Sequence, residues 1–337
     1  MYPIGIMKFV FGIHRTFCDT FLAFIVSLRG DTCIKISRKH ICTKTHTSAP
    51  PNMPKPSGSR GSASRSSASR SSASSSGSSN AADKKAIVII PAAYSGPDMY
   101  EKVAAYCRSF GSEVVVVQNP STDVRPRAPS LYDDAANARA QIERLVRRGK
   151  EVMVVGHAYG AMVATQCCQG LSTADVRRGG VVRLLFIAGI AAIEGQSALD
   201  AMAGMAGYGL PEGMADGYGW YSQETLAAFY YTSAPAEEAM EYAAGRLRQS
   251  TQSLLDPLTH AGYRYIPVTY MVLDDDITLP QMLQESYVSV IEATSGQVVD
   301  VVHYPSDHFP SVTRPEAVID CLWRAAGEEA LQSCNFA

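Results

Sequence analysis

The sequence contains no hydrophobic run long enough to cross a lipid bilayer. Its most apolar N-terminal part, Met7–Leu28, is interrupted by charged residues, and the cleanest run within it, Phe21–Leu28, is too short to span. A secretory signal would need a small-residue cleavage site after this run, but Arg29 and Asp31 follow it directly. We therefore expect no stable membrane span in this chain.

Strong net charge is also missing, which bears on possible partners. The chain has 30 Lys and Arg against 32 Asp and Glu, and its formal net charge is −2. The balance is uneven, because the first 82 residues contain 11 basic and two acidic side chains and the remainder contains 19 and 30. An acidic body repels polyanions, so we expect no nucleic acid as a partner of the folded part.

The eight cysteines show neither a disulfide framework nor the spacing of a metal site. Cys107, Cys167 and Cys168 lie on helical patterns, which is typical of free thiols in a reducing compartment. The Cys/His cluster between residues 33 and 46 fits no standard zinc pattern. We expect no metal and no organic cofactor.

The first 82 residues lack the composition of a folded domain. Residues 50–80 are mainly Ser, Arg, Ala, Gly and Pro, which bury too little apolar surface to fold, so we predict a disordered, basic and Ser-rich extension over residues 1–82. Three interpretations of residues 1–52 stay open: a translation start at Met53, a mitochondrial transit peptide or a secretory leader. A cytoplasmic location is the simplest expectation, with a mitochondrial or secretory one if residues 1–52 are genuine.

Residues 83–330 alternate between strand and helix patterns. Continuous apolar runs such as Ala86–Ile90 are typical of strands buried on both faces of a parallel sheet. Amphipathic spacing predicts helices between them, including Tyr132–Arg148, which we expect Asp133 and Asp134 to cap. This alternation predicts an α/β fold with a mostly parallel central sheet flanked by helices.

A different pattern interrupts this alternation at about residues 193–263. Glycines divide short helical pieces there, and aromatic residues are unusually dense. We predict a helical cap inserted over the carboxyl end of the sheet, where ligands of such sheets bind. Residues 331–337 are expected to form a loose C-terminal tail.

One motif, at Glu151–Val163, organises the rest of the chain. An apolar strand pattern leads into Gly156-His157-Ala158-Tyr159-Gly160, and an apolar helical pattern follows. This is the form of the G-x-S-x-G nucleophile elbow, a turn so tight that only glycine fits on either side of the central residue. The central residue here is Ala158, whose methyl group is not a nucleophile.

Four segments together carry a resemblance to a known family. The chain resembles single-domain α/β-hydrolases of the type common in fungi, which are distantly similar to plant methylesterases and hydroxynitrile lyases. The matching segments are IVIIPAAYSGP, GKEVMVVGHAYGA, YIPVTYMVLDDDITLP and PSDHFPSVTRPE. The order of elbow, acid after a strand and histidine after the last strand is that of the family.

The resemblance implies a role for each matching residue. His308 corresponds to the general base, and Asp275 to the acid that orients it, with Asp274 and Asp276 as alternatives. The backbone N–H groups of Ala93 and Tyr159 correspond to an oxyanion hole.

The nucleophile position, Ala158, departs from the family pattern. In serine hydrolases, loss of the nucleophile removes roughly six powers of ten in rate. Two other residues are less favourable replacements, since neither stands at the centre of the elbow: His157 is adjacent to Ala158, and Ser95 lies in the first turn.

Aromatic residues of the cap and the first turn are candidates to line a substrate pocket. Packing of the cap against the sheet explains them equally well, and both interpretations stay open. The pocket candidates are Tyr94, Tyr208, Tyr218, Trp220, Tyr221 and Phe229. They favour a small apolar or aromatic molecule as the partner, whereas the oligomeric state is not predicted.

Three functions are compatible with this pattern. The first is a catalytically silent hydrolase-fold protein that binds a small apolar or aryl ligand under the cap. The second is an enzyme that uses His308, Asp275 and the oxyanion hole without a serine, as a lyase, cyclase or cofactor-free oxygenase. The third is an active ester hydrolase, if Ala158 is a substitution or a sequence error.

Overall fold

The computed structural model describes residues 85–203, 211–245 and 247–327. The predicted N-terminal extension and C-terminal tail, and the pocket candidate Tyr208, lie outside these residues. The strands are β1 Lys85–Ile90, β2 Glu113–Val116, β3 Glu151–His157, β4 Gly180–Ile187, β5 Gly213–Ala215, β6 Tyr218–Trp220, β7 Gln249–Ser250, β8 Val268–Leu273 and β9 Asp300–Tyr304. The α-helices are α1 Glu101–Ser109, α2 Leu131–Arg147, α3 Tyr159–Cys167, α4 Ala198–Met202, α5 Gln223–Tyr230, α6 Ala236–Ala244, α7 Thr251–Leu255, α8 Gln281–Ser295, α9 Pro310–Thr313 and α10 Pro315–Ala325.

A six-stranded sheet of order β2-β1-β3-β4-β8-β9 forms the centre of the fold, and all its paired strands are parallel. Val88, Val154 and Val272 are fully buried, as expected for strands covered on both faces. Among the flanking helices, α1 packs against α10, and α2 packs against α3. The predicted α/β fold with a mostly parallel central sheet flanked by helices is therefore confirmed.

Parallel pairing brings the predicted site segments to one edge of the sheet. Ile90 at the end of β1 pairs with Gly156 in β3, and Leu273 at the end of β8 pairs with Tyr304 at the end of β9. The first turn, the elbow, the acid loop and the histidine loop each follow one of these four strands. The carboxyl edge is where open α/β sheets bind ligands.

The segment between β4 and β8 contains more than helices. Strands β5, β6 and β7 form a small antiparallel sheet, which lies in sequence among α4, α5, α6 and α7. The segment predicted as a helical cap thus contains helices together with a small sheet that the prediction did not include. The tight Asp216-Gly217 turn has positive φ at both residues, which suits a two-residue hairpin connection that periodicity alone does not reveal.

The start of α2 shows how one of two neighbouring carboxylates can turn inward. Asp133 completes a capping box with Ser130, which confirms half of the predicted cap. Asp134 instead points into the protein, where it is fully buried and bonded to Ser121 and Tyr159. The prediction that Asp134 also caps the helix is wrong, because its oxygens are engaged by other elements.

Candidate active site

The elbow has the geometry that the glycine spacing predicted. Ala158 joins β3 to α3 with φ 47° and ψ −114°, a backbone conformation that L-residues rarely adopt. A Cβ on Gly160 would collide with the carbonyl oxygen of Ile90, and one on Gly156 would lie 2.6 Å from Cα of Ala161. The turn therefore keeps its strained form although its central side chain is a methyl group.

Hydrogen bonds from the next strand hold Ala158 in this conformation. Its N–H donates to the carbonyl of Ile187 at 3.0 Å, and its own carbonyl accepts from the N–H groups of Ala161 and Ile190, both at 3.1 Å. Strained residues of this kind persist only where their surroundings fix them. The β4 end and the first turn of α3 provide that fixation here.

The acid that pairs with His308 is Asp276. Its Nδ1 lies 2.7 Å from Oδ2 of Asp276, and both side chains are buried. The second oxygen, Oδ1, accepts from the backbone N–H groups of Thr278 and Leu279 at 2.8 and 2.9 Å. A carboxylate with all these donors is oriented rigidly toward the imidazole.

The prediction that Asp275 orients His308 is wrong. Asp275 is exposed, and its backbone N–H donates to the carbonyl of Ser306. Asp274, the other alternative, bonds to Nδ1 of His303 at 2.8 Å on the surface. The turn formed by Asp276 over Thr278 and Leu279 selects the third of the three acids, and the D-x-T-L pattern is the signal that favours it.

His157 connects three parts of the site through a buried chain of hydrogen bonds. Its Nε2 lies 2.8 Å from the carbonyl oxygen of His308, and its Nδ1 lies 2.8 Å from the hydroxyl of Tyr100. A carbonyl only accepts, so Nε2 carries the proton and Tyr100 donates to Nδ1. The same hydroxyl accepts from the N–H of Ala92 at 2.9 Å. His157 thus ties the first turn to the histidine loop and does not occupy the nucleophile position.

Ser95, the other replacement nucleophile considered from the sequence, is turned away from this role. It is fully buried, and its hydroxyl donates to the carbonyl of Ala92 at 2.7 Å. Its side chain therefore stabilises the first turn and is not available as a nucleophile.

A cavity of about 380 Å³ brings the elbow, the dyad and the cap segment together. Ala158, His308 and both residues predicted for the oxyanion hole, Ala93 and Tyr159, line it. Most of the remaining lining is apolar or aromatic. Its other members are Ala92, Tyr94, Ile190, Ala198, Leu199, Met202, Glu212, Tyr221, Thr225, Leu226, Phe229, Tyr230, Leu254, Thr278 and Leu279.

Three of the aromatic pocket candidates, Tyr94, Tyr221 and Phe229, lie on this cavity. The rings of Tyr94 and Tyr221 meet edge to face with centroids 5.0 Å apart. Burial raises the pKa of both hydroxyls, so they stay protonated and neutral at physiological pH. The cavity wall is therefore aromatic and uncharged at these two positions.

Two other candidates, Tyr218 and Trp220, do not line the cavity. The buried Tyr218 hydroxyl donates to the carbonyl of Asp123 at 2.8 Å and accepts from the N–H of Arg125 at 3.0 Å. The Trp220 ring lies 4.8 Å below the Arg248 guanidinium. Both predictions are wrong, because Tyr218 is bonded to the loop at Asp123 and Arg125 and Trp220 packs against Arg248, next to β7.

Tyr230 is a site residue that the sequence analysis missed. Its ring stacks on the imidazole of His308 with centroids 4.9 Å apart and an interplanar angle of 29°. The end of α5 that carries Tyr230 is attached to the acid loop, because Thr278 Oγ1 donates to the carbonyl of Phe229 at 2.9 Å. Its place beside Phe229 is the only sequence signal, and it does not distinguish a stacking ring from a packing one.

The part of the chain that the structure describes shows no helix long and apolar enough to cross a bilayer. Within the same residues, no group of three or more His, Cys, Asp or Glu side chains is arranged to hold a metal ion.

The sequence profile of the alpha/beta hydrolase family matches residues 87–321. A curated fungal relative is the probable hydrolase R7 of a Phoma species, which is 29% identical over 246 residues and is covered over 99% of its length, with 72% of this chain aligned.

Solved structures share the same fold. An extracellular alpha/beta-hydrolase from a Paenibacillus species superposes with a TM-score of 0.60 at 16% identity, over 72% of this chain and 98% of that one. Tomato Methylketone Synthase I, solved in complex with 2-tridecanone, superposes with a TM-score of 0.54 at 16% identity, over 72% and 98% of the two chains.

Proposed function

This chain belongs to the alpha/beta hydrolase family, and we propose that it acts within that fold as a general acid–base catalyst on a small apolar carbonyl compound. The observation that carries the proposal is the dyad of His308 and Asp276, 2.7 Å apart, with the imidazole on the same cavity as Ala158. The base of a hydrolase is thus retained beside an elbow without a nucleophile. No acyl-enzyme forms at Ala158, since its methyl group has no lone pair.

The proposed step is proton transfer at a carbon next to the carbonyl group. Nε2 of His308 removes the proton, and the C–H electron pair moves through the carbonyl carbon to its oxygen, which becomes an enolate. The backbone N–H groups of Ala93 and Tyr159 hold that oxygen, and Asp276 stabilises the imidazolium that forms. Return of the proton from the imidazolium to the α-carbon completes an exchange. In a lyase reaction the enolate instead re-forms the carbonyl and expels a leaving group from the β-carbon, and in a cyclisation its α-carbon attacks a second carbonyl carbon of the same molecule, whose oxygen takes the proton.

The lining of the cavity supports an apolar carbonyl compound as the substrate class. Apolar and aromatic side chains make up most of the wall, and Tyr94 and Tyr221 are neutral there. Tomato Methylketone Synthase I, which shares the fold, was solved with the apolar ketone 2-tridecanone. We extend this ligand class to the present cavity as part of the proposal.

Ligand binding without turnover is the competing function, and the alanine at position 158 is the observation that favours it. The two functions make the same prediction for binding and opposite predictions for proton exchange. A binder holds an apolar ketone without exchanging its protons.

Hydrogen–deuterium exchange at the α-carbons of 2-tridecanone in D₂O, followed by mass spectrometry, tests the proposal. The full-length protein is expected to accelerate exchange above the buffer rate, and His308→Gln to lower that acceleration by about 10²- to 10⁴-fold. Asp275→Asn is the matched control, because this exposed acid touches neither His308 nor the cavity. Binding of 2-tridecanone without accelerated exchange, or full exchange by His308→Gln, would overturn acid–base catalysis.

A further inference from the structure

A buried polar network lies behind the elbow, centred on the carboxylate of Asp134. Oδ1 of Asp134 accepts from the N–H of Ser121 at 2.8 Å. Oδ2 accepts from the hydroxyl of Ser121 at 2.5 Å and from the hydroxyl of Tyr159 at 2.8 Å. Tyr159 directly follows Ala158, so the carboxylate is bonded to the residue whose backbone N–H is proposed as one half of the oxyanion hole.

The network continues from Ser121 to the first turn. Gln249 donates through Nε2 to the hydroxyls of Ser121 and Ser253, at 2.8 and 2.7 Å. Its Oε1 accepts from the backbone N–H of Tyr94 at 3.1 Å. Tyr94 directly follows Ala93, so Tyr159, one half of the proposed oxyanion hole, and the residue after the other half are joined through one set of buried groups.

Both ends of this network are attached to strained backbone. Tyr94 has φ 59° and Ala158 has φ 47°, and each is a non-glycine residue in a sparsely populated region. Such conformations are energetically unfavourable and cluster where a site must be held in one geometry. The carbonyl of Tyr94 also accepts from the N–H of Leu247 at 3.1 Å, so its peptide is fixed on both sides.

We infer that Asp134 is a positioning residue for the oxyanion hole. Through the Tyr159 hydroxyl on one side, and through Ser121 and Gln249 on the other, its carboxylate sets the spacing between the backbone N–H groups of Tyr159 and Ala93. This inference rests on the proposed function, because the distance between these two N–H groups matters only if they bind an oxyanion. The coupling between the two turns is a separate property of the fold and can be measured without any substrate.

The charge on Asp134 determines whether it can accept all these bonds. Burial raises the pKa of its carboxyl to about 6, while the donors from Ser121 and Tyr159 oppose that rise. Burial and the neighbouring carboxylate raise the pKa of the Tyr159 hydroxyl, which therefore remains a donor. The other acidic groups that act on the pair are Asp133 on the same helix and Asp256 after α7.

Amide NMR on the full-length protein tests the inference. In a pH series from about 5 to 8, the amide resonances of Tyr159 and Tyr94 are expected to move together with one midpoint near 6, the pKa of Asp134. Asp134→Asn should abolish both movements. Asp133→Asn should keep both movements and at most lower their shared midpoint, since that carboxylate caps α2 and pairs with Arg127 but makes no hydrogen bond to Ser121, Tyr159 or Gln249. Tyr159→Phe should remove the movement of residue 159 and keep that of Tyr94.

Two results would contradict the inference. Movements that persist in Asp134→Asn would assign them to another group. Different midpoints for the two amides would show that the turns are not joined through one carboxylate. Tyr159→Phe retains the buried ring, so it decides the question even if Asp134→Asn does not fold. Failure of the proton-exchange assay would leave these amide measurements unaffected.

Discussion

Nδ1 of His308 lies 2.7 Å from Oδ2 of Asp276, while the adjacent Asp275 is exposed to solvent. Asp276→Asn is expected to lower the free energy of unfolding by about 1–3 kcal/mol, because an amide N–H₂ group would replace an acceptor at a buried site. Asp275→Asn is expected to change it by less than about 0.5 kcal/mol. Urea unfolding of both variants measures the difference, and equal effects would contradict the assignment of the acid.

Stacking of Tyr230 on His308 predicts a graded effect on proton exchange. Tyr230→Phe keeps the ring and should retain most of the exchange rate on 2-tridecanone. Tyr230→Leu removes an aromatic contact with a typical free energy of about 0.5–1.5 kcal/mol, so the rate should fall roughly 2- to 13-fold. If the phenylalanine and leucine variants are slowed alike, stacking is not the contribution of this residue.

The buried Asp134 predicts a definite sign for stability against pH. Its folded-state pKa of about 6 exceeds the ordinary value of 3.8, so between about pH 4 and pH 6 the folded chain keeps a proton that the unfolded chain releases. Stability contributed by this group therefore falls as pH rises through that window, by up to about 3 kcal/mol, and then stays level. Urea unfolding of the native protein and Asp134→Asn across this range should give curves that diverge accordingly. Parallel curves would contradict the raised pKa.

The sheet and the elbow could be predicted because their residues respond to local constraints. The run Ala86–Ile90 is apolar at every position since both faces are covered, and the strand is Lys85–Ile90. Gly156 and Gly160 mark positions where a side chain would meet backbone at short range. Patterns of this kind are visible in the sequence because they do not depend on contacts with distant parts of the chain.

The acid is selected by a short turn that strand and helix periodicity does not reveal, and the pocket lining depends on tertiary contacts that no local pattern contains. Asp274, Asp275 and Asp276 differ only in how the turn after β8 directs them, and that turn is set by the bonds from Thr278 and Leu279 to Asp276. Aromatic residues between β4 and β8 raise the same difficulty. Tyr218 packs under a loop and Tyr230 stacks on His308, yet both are tyrosines in one aromatic-rich segment.

The central claim is that this site is a complete hydrolase frame that lacks only the nucleophile. Labelling of native protein and Ala158→Ser with a fluorophosphonate probe, under identical conditions, tests it most directly. A serine at this elbow would stand beside His308 and between the proposed oxyanion donors, so Ala158→Ser should label and the native protein should not. Labelling of the native protein at any residue of the cavity, or failure of a folded Ala158→Ser to label, would contradict the claim.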